Sequence, residues 1–166
     1  VGCVWCDVKE SWEAEESQWQ TVEEICNNAK KFKSKIAVVT GGEPLMYDLF
    51  ELTDELRKNN FNTNIETSGV YPITGTWDWI CFSPKKFKKP NDGIYKQADE
   101  LKIIIFNKSD FKFAEEHAAK VKSDCVLLLQ PEWDKKEELL PSIIEYIQEN
   151  PQWRLSLQTH KYLNIP

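Results

Sequence analysis

Six short strand-sized runs, some apolar and β-branched and one (residues 61–66) alternating polar with apolar, separated by stretches of helical periodicity, are the feature that most narrows the fold of this chain. The runs are residues 36–40, 61–66, 77–82, 101–106, 126–130 and 154–158. Neighbouring parallel strands need a connection long enough to carry the chain back, and a helix supplies it. Strand and helix in alternation therefore predict an α/β fold of parallel strands with helical crossovers. The first helix opens at Thr21, where Thr21 and Glu24 have the spacing of a capping box. Val22, Ile25, Cys26, Ala29 and Phe32 follow at helical spacing. Pro44 suits the first turn of a second helix carrying Leu45, Leu49, Leu52 and Leu56. Residues 107–121 and 135–149 are further helices, the latter with Leu139, Leu140, Ile143, Ile144 and Ile147 on its inner face. The uninterrupted apolar run 36–40 is expected to be a buried strand.

Ligand sites of parallel α/β folds lie at the carboxyl ends of the strands. Five predicted strands end in polar or Gly/Pro-rich turns: Gly41-Gly42-Glu43-Pro44, Glu66-Thr67-Ser68-Gly69, Ser83-Pro84-Lys85, Gln130-Pro131 and Gln158-Thr159-His160-Lys161. One polar loop is ordinary; five sharing one rim would describe a site.

A length of 166 residues with 41% hydrophobic side chains fits a single domain, residues 1–166, with its own core. No apolar run reaches the roughly 20 residues of a membrane-spanning helix. The formal net charge of -6 disfavours a phosphate-backbone footprint, so neither nucleic acid nor membrane is expected as a partner. Lys85, Lys86, Lys88 and Lys89 form a local basic patch that suits a small anion or a solvated loop equally. Five cysteines, an odd and unevenly spaced set, fit a reducing cytoplasmic setting better than a disulfide scaffold. The chain begins at Val1, without Met and directly at a cysteine pair, and is read as lacking its natural N-terminus.

Cys3 and Cys6 form a C-x-x-C whose thiolates can converge on one metal. By itself the pair is half a zinc site, a redox pair or part of an iron–sulfur site. Cys26, Cys81 and Cys125 lie within predicted elements and are expected to be small buried hydrophobes. The Gly41-Gly42 turn lets a ligand approach the backbone, whose N–H and C=O groups can bind an amino acid's ammonium or carboxylate.

The Cys3-Val4-Trp5-Cys6 pair followed by Gly41-Gly42-Glu43-Pro44 resembles the radical S-adenosylmethionine (SAM) superfamily. With Asp7, Trp12, Glu66-Thr67-Ser68-Gly69, Ser83-Pro84-Lys85, Gln130-Pro131 and the terminal stretch from Gln158 to Pro166, nearly the whole chain resembles the 7-carboxy-7-deazaguanine synthase family. The resemblance implies a partial, incomplete parallel α/β barrel of the radical SAM type, with the N-terminal strand missing from this chain. It implies a 4Fe-4S cluster on three thiolates, with Cys3 and Cys6 matching the second and third ligands and the first lying four positions before Cys3. One iron would hold the amino and carboxylate groups of SAM, and one electron would cleave SAM to a 5′-deoxyadenosyl radical. That radical would take a hydrogen from 6-carboxy-5,6,7,8-tetrahydropterin. Ring contraction with loss of ammonia would give 7-carboxy-7-deazaguanine, in queuosine and deazapurine biosynthesis. The resemblance carries SAM contacts onto Trp5, Cys6, Asp7, Gly42, Ser83, Pro84, Lys85, Gln130, Pro131, Glu132 and Trp133. It carries substrate contacts onto Thr40 and Pro166, the latter through the terminal carboxylate. An electron donor such as flavodoxin or ferredoxin and a homodimer are family expectations.

Lys85, His160 and Lys161 are available cations for a substrate carboxylate. One departure concerns Mg2+: the family often places Thr or Ser two residues after the last cluster cysteine, where this chain has Val8, which offers no oxygen. Magnesium is therefore left open. Two other readings accommodate the cysteine pair. A glycyl-radical activating enzyme would need an open groove for a protein backbone, and a non-catalytic module would hold zinc on Cys3 and Cys6.

Overall fold

The computed structural model describes residues 18–165. The chain divides into two compact units, Val1–Ile94 and Tyr95–Pro166. Among the described residues no helix is long and apolar enough to cross a membrane.

The first unit contains α1 (Val22–Ala29), β1 (Ile36–Val39), a 3-10 turn Pro44–Met46, α2 (Phe50–Lys58), β2 (Asn62–Thr67) and β3 (Trp79–Phe82). β1 runs parallel to β2 with Ile36 opposite Asn62, and β2 parallel to β3 with Thr67 opposite Phe82. The capping box is present: the Thr21 hydroxyl accepts from the Glu24 N–H, and the Thr21 N–H donates to the Glu24 carboxylate at 2.7 Å. Cys26, Leu56 and Phe61 form a buried cluster, with Val22, Ala29, Ala37 and Leu52 packed against it. That cluster buries α1 and α2 on one face of β1.

Two expectations are corrected here. β1 is not buried on both faces, since Ile36 and Val38 are 56% and 54% exposed. Only the alternate positions, Ala37 and Val39, turn toward the packed side. The second helix does not run unbroken from Pro44. Tyr47 is extended (φ -113, ψ 157), and the Asp48 carboxylate then receives the Phe50 N–H at 3.0 Å at the start of α2. Leu45 and Leu49 are buried nonetheless. Their spacing reported burial correctly, while the short polar side chain of Asp48, which competes for backbone donors, split the helix.

The second unit contains β4 (Glu100–Ile105), α3 (Ser109–Ala118), β5 (Val126–Pro131), α4 (Lys136–Glu149), β6 (Trp153–Leu155) and α5 (Thr159–Leu163). β4 pairs parallel with β5, and β5 with β6. Leu101, Ile103, Ile105, Leu129, Ala114, Leu139, Ile143 and Trp153 are buried. Glu115 Oε1 accepts from the Tyr146 hydroxyl at 2.6 Å and from the Trp153 indole N–H at 2.7 Å, joining α3, α4 and β6. Ile144 departs from the expected inner face and is 45% exposed. Leu139 and Ile143, one turn apart, form the buried stripe, and Ile144 lies about 100° further round the helix. The last strand is shorter than expected, and the segment read as a turn and tail contains α5. Asn164, with φ 52, closes that helix, and the Ile165 N–H donates to the His160 carbonyl at 3.1 Å. The α/β alternation with parallel pairing is the class the sequence led us to expect.

Candidate active site

Three of the motif turns belong to the first unit and follow β1, β2 and β3. Thr40, Gly41 and Gly42 are exposed, whereas Glu43, Pro44 and Leu45 directly after them are buried. Gly41 has φ +113, a conformation closed to L side chains, and the space its Cβ would occupy is open. The turn thus offers bare backbone on its outer side and an anchor beneath.

That anchor is Glu43, only 4% exposed. Its Oε1 accepts from the Thr67 hydroxyl at 2.5 Å and the Leu45 N–H at 3.3 Å. Its Oε2 accepts from the Ser68 N–H at 2.8 Å and, in a short contact, from the Ser68 hydroxyl. The Thr67 hydroxyl oxygen in turn accepts from the Gly69 N–H at 2.9 Å, and the Thr67 carbonyl accepts from the Ser83 N–H at 2.7 Å. The turns after β1, β2 and β3 are therefore joined by one hydrogen-bonded network. Gly69 is held tightly within it: φ is +71, and a Cβ would lie 2.7 Å from the Phe82 ring. Ser83 and Pro84 are buried, and Lys85 folds back so that its Nζ donates to the Ser83 carbonyl at 2.7 Å and hydroxyl at 2.8 Å. Lys86, Lys88 and Lys89 are exposed.

The other two motif turns belong to the second unit. Gln130, Pro131 and Glu132 are buried where β5 ends. Gln130 Oε1 accepts from the Ser156 hydroxyl at 3.2 Å, linking the ends of β5 and β6. Glu132 accepts from the backbone N–H groups of Asp134 and Lys135, each at 3.2 Å, at the entry to α4. An acidic side chain there complements the helix dipole. Trp133 meets Tyr162 of α5 edge to face at 5.2 Å, and the ammonium groups of Lys136 and Lys161 lie over its ring at 4.3 and 4.9 Å. His160 is exposed on α5.

Cys3, Trp5, Cys6, Asp7, Val8, Trp12 and Pro166 lie outside the described residues. Cys26, Cys81 and Cys125 are buried, as their sequence context suggested. Burial raises the Cys26 thiol and pushes Cys125 up to about 11, so neither provides a ready thiolate. Among the described residues no three His, Cys, Asp or Glu side chains cluster for a metal. The Gly41-Gly42 turn suits SAM: its backbone is accessible to an ammonium and a carboxylate, and residues 40–45 include no Lys or Arg to oppose a sulfonium.

Sequence reasoning quoted Glu43 within its motif but missed its function as the tie between turns. The signal was present: an acceptor-only side chain follows one strand, and the donor-rich Thr67-Ser68 pair follows the next. The packing of α5 against Trp133 was also missed, and no local pattern in the sequence announces it.

Comparison with known proteins places the chain among relatives of one family. The Radical SAM superfamily matches residues 1–80. The chain is 57% identical over 166 residues to the 7-carboxy-7-deazaguanine synthase of Flavobacterium psychrophilum, covering 100% of this chain and 79% of that protein. It is 47% identical over 165 residues to the 7-carboxy-7-deazaguanine synthase of Synechocystis sp., covering 99% of this chain and 79% of that protein. Among solved structures it resembles the crystal structure of QueE from Escherichia coli, with a TM-score of 0.81 and 29% identity over 95% of this chain and 80% of that one.

Proposed function

The chain belongs to the 7-carboxy-7-deazaguanine synthase family of radical SAM enzymes, which use a 4Fe-4S cluster and SAM, and on that premise we propose a specific division of labour among its residues. The reaction is the conversion of 6-carboxy-5,6,7,8-tetrahydropterin to 7-carboxy-7-deazaguanine with loss of ammonia. It is a lyase reaction in which substrate minus ammonia equals product, so no net oxidant is consumed. The fold is of the family's incomplete parallel α/β barrel type, and residues 1–166 act as one radical SAM core domain. Bound cluster and SAM supply the one-electron chemistry that removes and returns a hydrogen atom.

Cys3 and Cys6 hold the cluster. Trp5, Cys6, Asp7, Gly42, Ser83, Pro84, Lys85, Gln130, Pro131, Glu132 and Trp133 contact SAM, and Thr40 and the terminal carboxylate of Pro166 contact the substrate. Gly41-Gly42 serves because its backbone is bare and Gly41, at φ +113, takes a conformation that L side chains rarely adopt. Lys85 serves through the Ser83 carbonyl and hydroxyl, which hold its ammonium in one place. A fixed set of polar groups binds a zwitterion without having to order itself first. With Val8 two positions after Cys6, Mg2+ would bind through substrate and water rather than through that side chain. The partners are a small carboxylated pterin, an electron donor such as flavodoxin or ferredoxin, and a second copy in a homodimer, in the cytoplasm.

The observation that carries the assignment is 57% identity along the whole chain together with the anchored Gly-Gly-Glu turn. Anaerobic turnover of the full-length protein with 6-carboxytetrahydropterin, SAM and dithionite should yield 7-carboxy-7-deazaguanine. Release of 5′-deoxyadenosine alone would overturn the substrate. Adding Mg2+ to the same assay should raise turnover, and indifference to the ion would remove it from the reading.

A further inference from the structure

We propose that the turn at residues 85–89 is the docking surface for the electron donor, an acidic one-electron carrier protein whose carboxylates meet Lys86, Lys88 and Lys89 around the aromatic tip of Phe87. The proposal rests on the SAM-dependent reading above and adds where on this chain the partner sits.

The turn is held at its tip and at its base. Lys85 and Lys88 form an antiparallel bridge, and the Lys88 N–H donates to the Lys85 carbonyl at 3.1 Å. On the entry side the Lys85 ammonium is fixed by the Ser83 carbonyl and hydroxyl. On the exit side Pro90 is buried, and the Asn91 N–H donates to the Gly69 carbonyl at 2.7 Å. Lys86, Phe87, Lys88 and Lys89 are exposed between these anchors. Three lysines and a phenyl ring in a fixed arrangement meet a partner at a lower ordering cost than a mobile loop would.

Position and charge together select the electron donor. The turn follows β3 at the carboxyl ends of the strands, directly after Ser83, Pro84 and Lys85, which the proposed reading puts on SAM. The stretches that follow β1 and β2, residues 40–48 and 66–76, hold no Lys or Arg. The other lysine cluster of this unit, Lys30, Lys31, Lys33 and Lys35, leads into the first residue of β1 and so belongs to the opposite end of the strands. There it complements the negative end of α1. No helix ends within or directly before residues 85–89, so no dipole accounts for their charge. Four lysines in five positions repel one another. The contact of Lys89 with Asp92, at 3.9 Å with side chains 84% and 85% exposed, offsets little of that. Carboxylates of a docked protein would relieve the repulsion. Small, weak, electrostatically steered interfaces suit a carrier that must leave after giving up its electron. In that step the reduced carrier loses one electron and the cluster gains it, and no atom is transferred.

The test uses the full-length enzyme, reconstituted anaerobically, as wild type, Lys86→Glu/Lys89→Glu and Phe87→Ala. Lys31→Glu/Lys33→Glu is the control, an equal change of charge at the other end of the strands. The probe is a purified bacterial flavodoxin. Its affinity in the oxidised state is read without turnover by isothermal titration calorimetry. Carbodiimide cross-links between its carboxylates and the enzyme's lysines are mapped by mass spectrometry. Turnover is then driven either by flavodoxin kept reduced by its NADPH-dependent reductase or by dithionite. Lys86→Glu/Lys89→Glu should weaken flavodoxin binding about tenfold, raise the KM for reduced flavodoxin by a similar factor, and keep the dithionite-driven rate. Its loss should shrink as ionic strength rises from about 0.05 M to about 0.5 M, whereas the smaller loss in Phe87→Ala should persist. Cross-links should fall on Lys86, Lys88 or Lys89. Wild-type affinity in Lys86→Glu/Lys89→Glu would overturn the proposal, as would a wild-type enzyme that turns over with dithionite and binds no flavodoxin. An equal loss in Lys31→Glu/Lys33→Glu would overturn it too, since attraction would then come from overall charge. A matching fall in the dithionite-driven rate of Lys86→Glu/Lys89→Glu would move these lysines to SAM or substrate and also overturn it. A wild-type enzyme with full iron and no product under dithionite would instead overturn the reaction on which the proposal rests.

Discussion

Replacing Gly69 by alanine should destabilise the first unit through two separable effects. The first is backbone conformation: at φ +71 an alanine pays about 1–2 kcal/mol that glycine does not. The second is collision. The added Cβ would stand 2.7 Å from Cε2 and 2.9 Å from Cδ2 of Phe82, and 3.1 Å from Cγ1 of Ile94. Phe82 is 0% exposed, so its ring has no open side to move into. Overpacking of this kind adds about 1–3 kcal/mol, for a total of about 2–5 kcal/mol. Nor can the backbone at Gly69 shift freely, since its N–H donates to Thr67 Oγ1 at 2.9 Å and its carbonyl accepts from the Asn91 N–H at 2.7 Å. Urea denaturation followed by far-UV circular dichroism would measure the loss. A double-mutant cycle with Phe82→Leu isolates the collision, because leucine lacks the outer ring carbons. Gly69→Ala should be less damaging in the Phe82→Leu background by about 1–3 kcal/mol. Gly41→Ala, with nothing within 4 Å of its Cβ, should show no coupling to Phe82→Leu. A Gly69–Phe82 coupling below about 0.5 kcal/mol would refute the steric argument.

Three further outcomes are expected. The hydrogen bond from Arg57 at 2.7 Å, with the Thr63 N–H, holds the Asp78 carboxyl below its ordinary 3.8, so the stability it contributes is complete at neutral pH. The gap between wild type and Asp78→Asn should be flat above about pH 5 and close as pH falls below 3.8, whereas a gap unchanged down to pH 2 would contradict the assignment. His117 is buried, with Nδ1 2.9 Å from the Tyr95 hydroxyl, and burial, aided by Lys120, pushes its pKa down from 6.5 to about 4. Its neutral form favours folding, so its contribution is full above pH 6.5 and is lost as pH falls through 6.5 to about 4; His117→Gln should flatten that part of the stability profile, and parallel profiles would count against it. Glu115→Ala strands the indole N–H of Trp153, which is 1% exposed, and should lose about 1–3 kcal/mol from that group alone. Glu115→Gln, which keeps an acceptor, should lose less, and Tyr146, pushed up to about 12 by burial and then by Glu115, should titrate lower in both variants.

The sequence by itself determined the class of fold, the order of strands and helices, and the polar turns that follow the strands. It could do so because each rests on local information. The capping box at Thr21 and Glu24 lies within one helical turn, the strand runs are contiguous, and the motifs at 41–44, 66–69 and 83–85 are short strings. The burial of Cys26, Cys81 and Cys125 was legible for the same reason, each lying in or beside an apolar element. Errors arose where a local pattern met a non-local competitor. The leucine spacing from 45 to 56 suggested one helix, but the backbone turned at Tyr47, and the Leu49 N–H found Thr74 Oγ1, 25 residues away, at 3.2 Å. The apolar run at β1 looked buried because sequence gives hydrophobicity without saying how many faces are covered.

Tertiary structure alone decided which side chains meet. That Glu43 lies against Thr67 and Ser68, and that Thr67 in turn holds Ser83, follows from the parallel register of β1, β2 and β3, which brings turns far apart in sequence to neighbouring strand ends. The contact of Trp133 with Tyr162 likewise arises only once α5 has folded back on the end of β5. Hydrogen bonds and packing depend on distance in space, and the chain encodes that distance only through the whole fold.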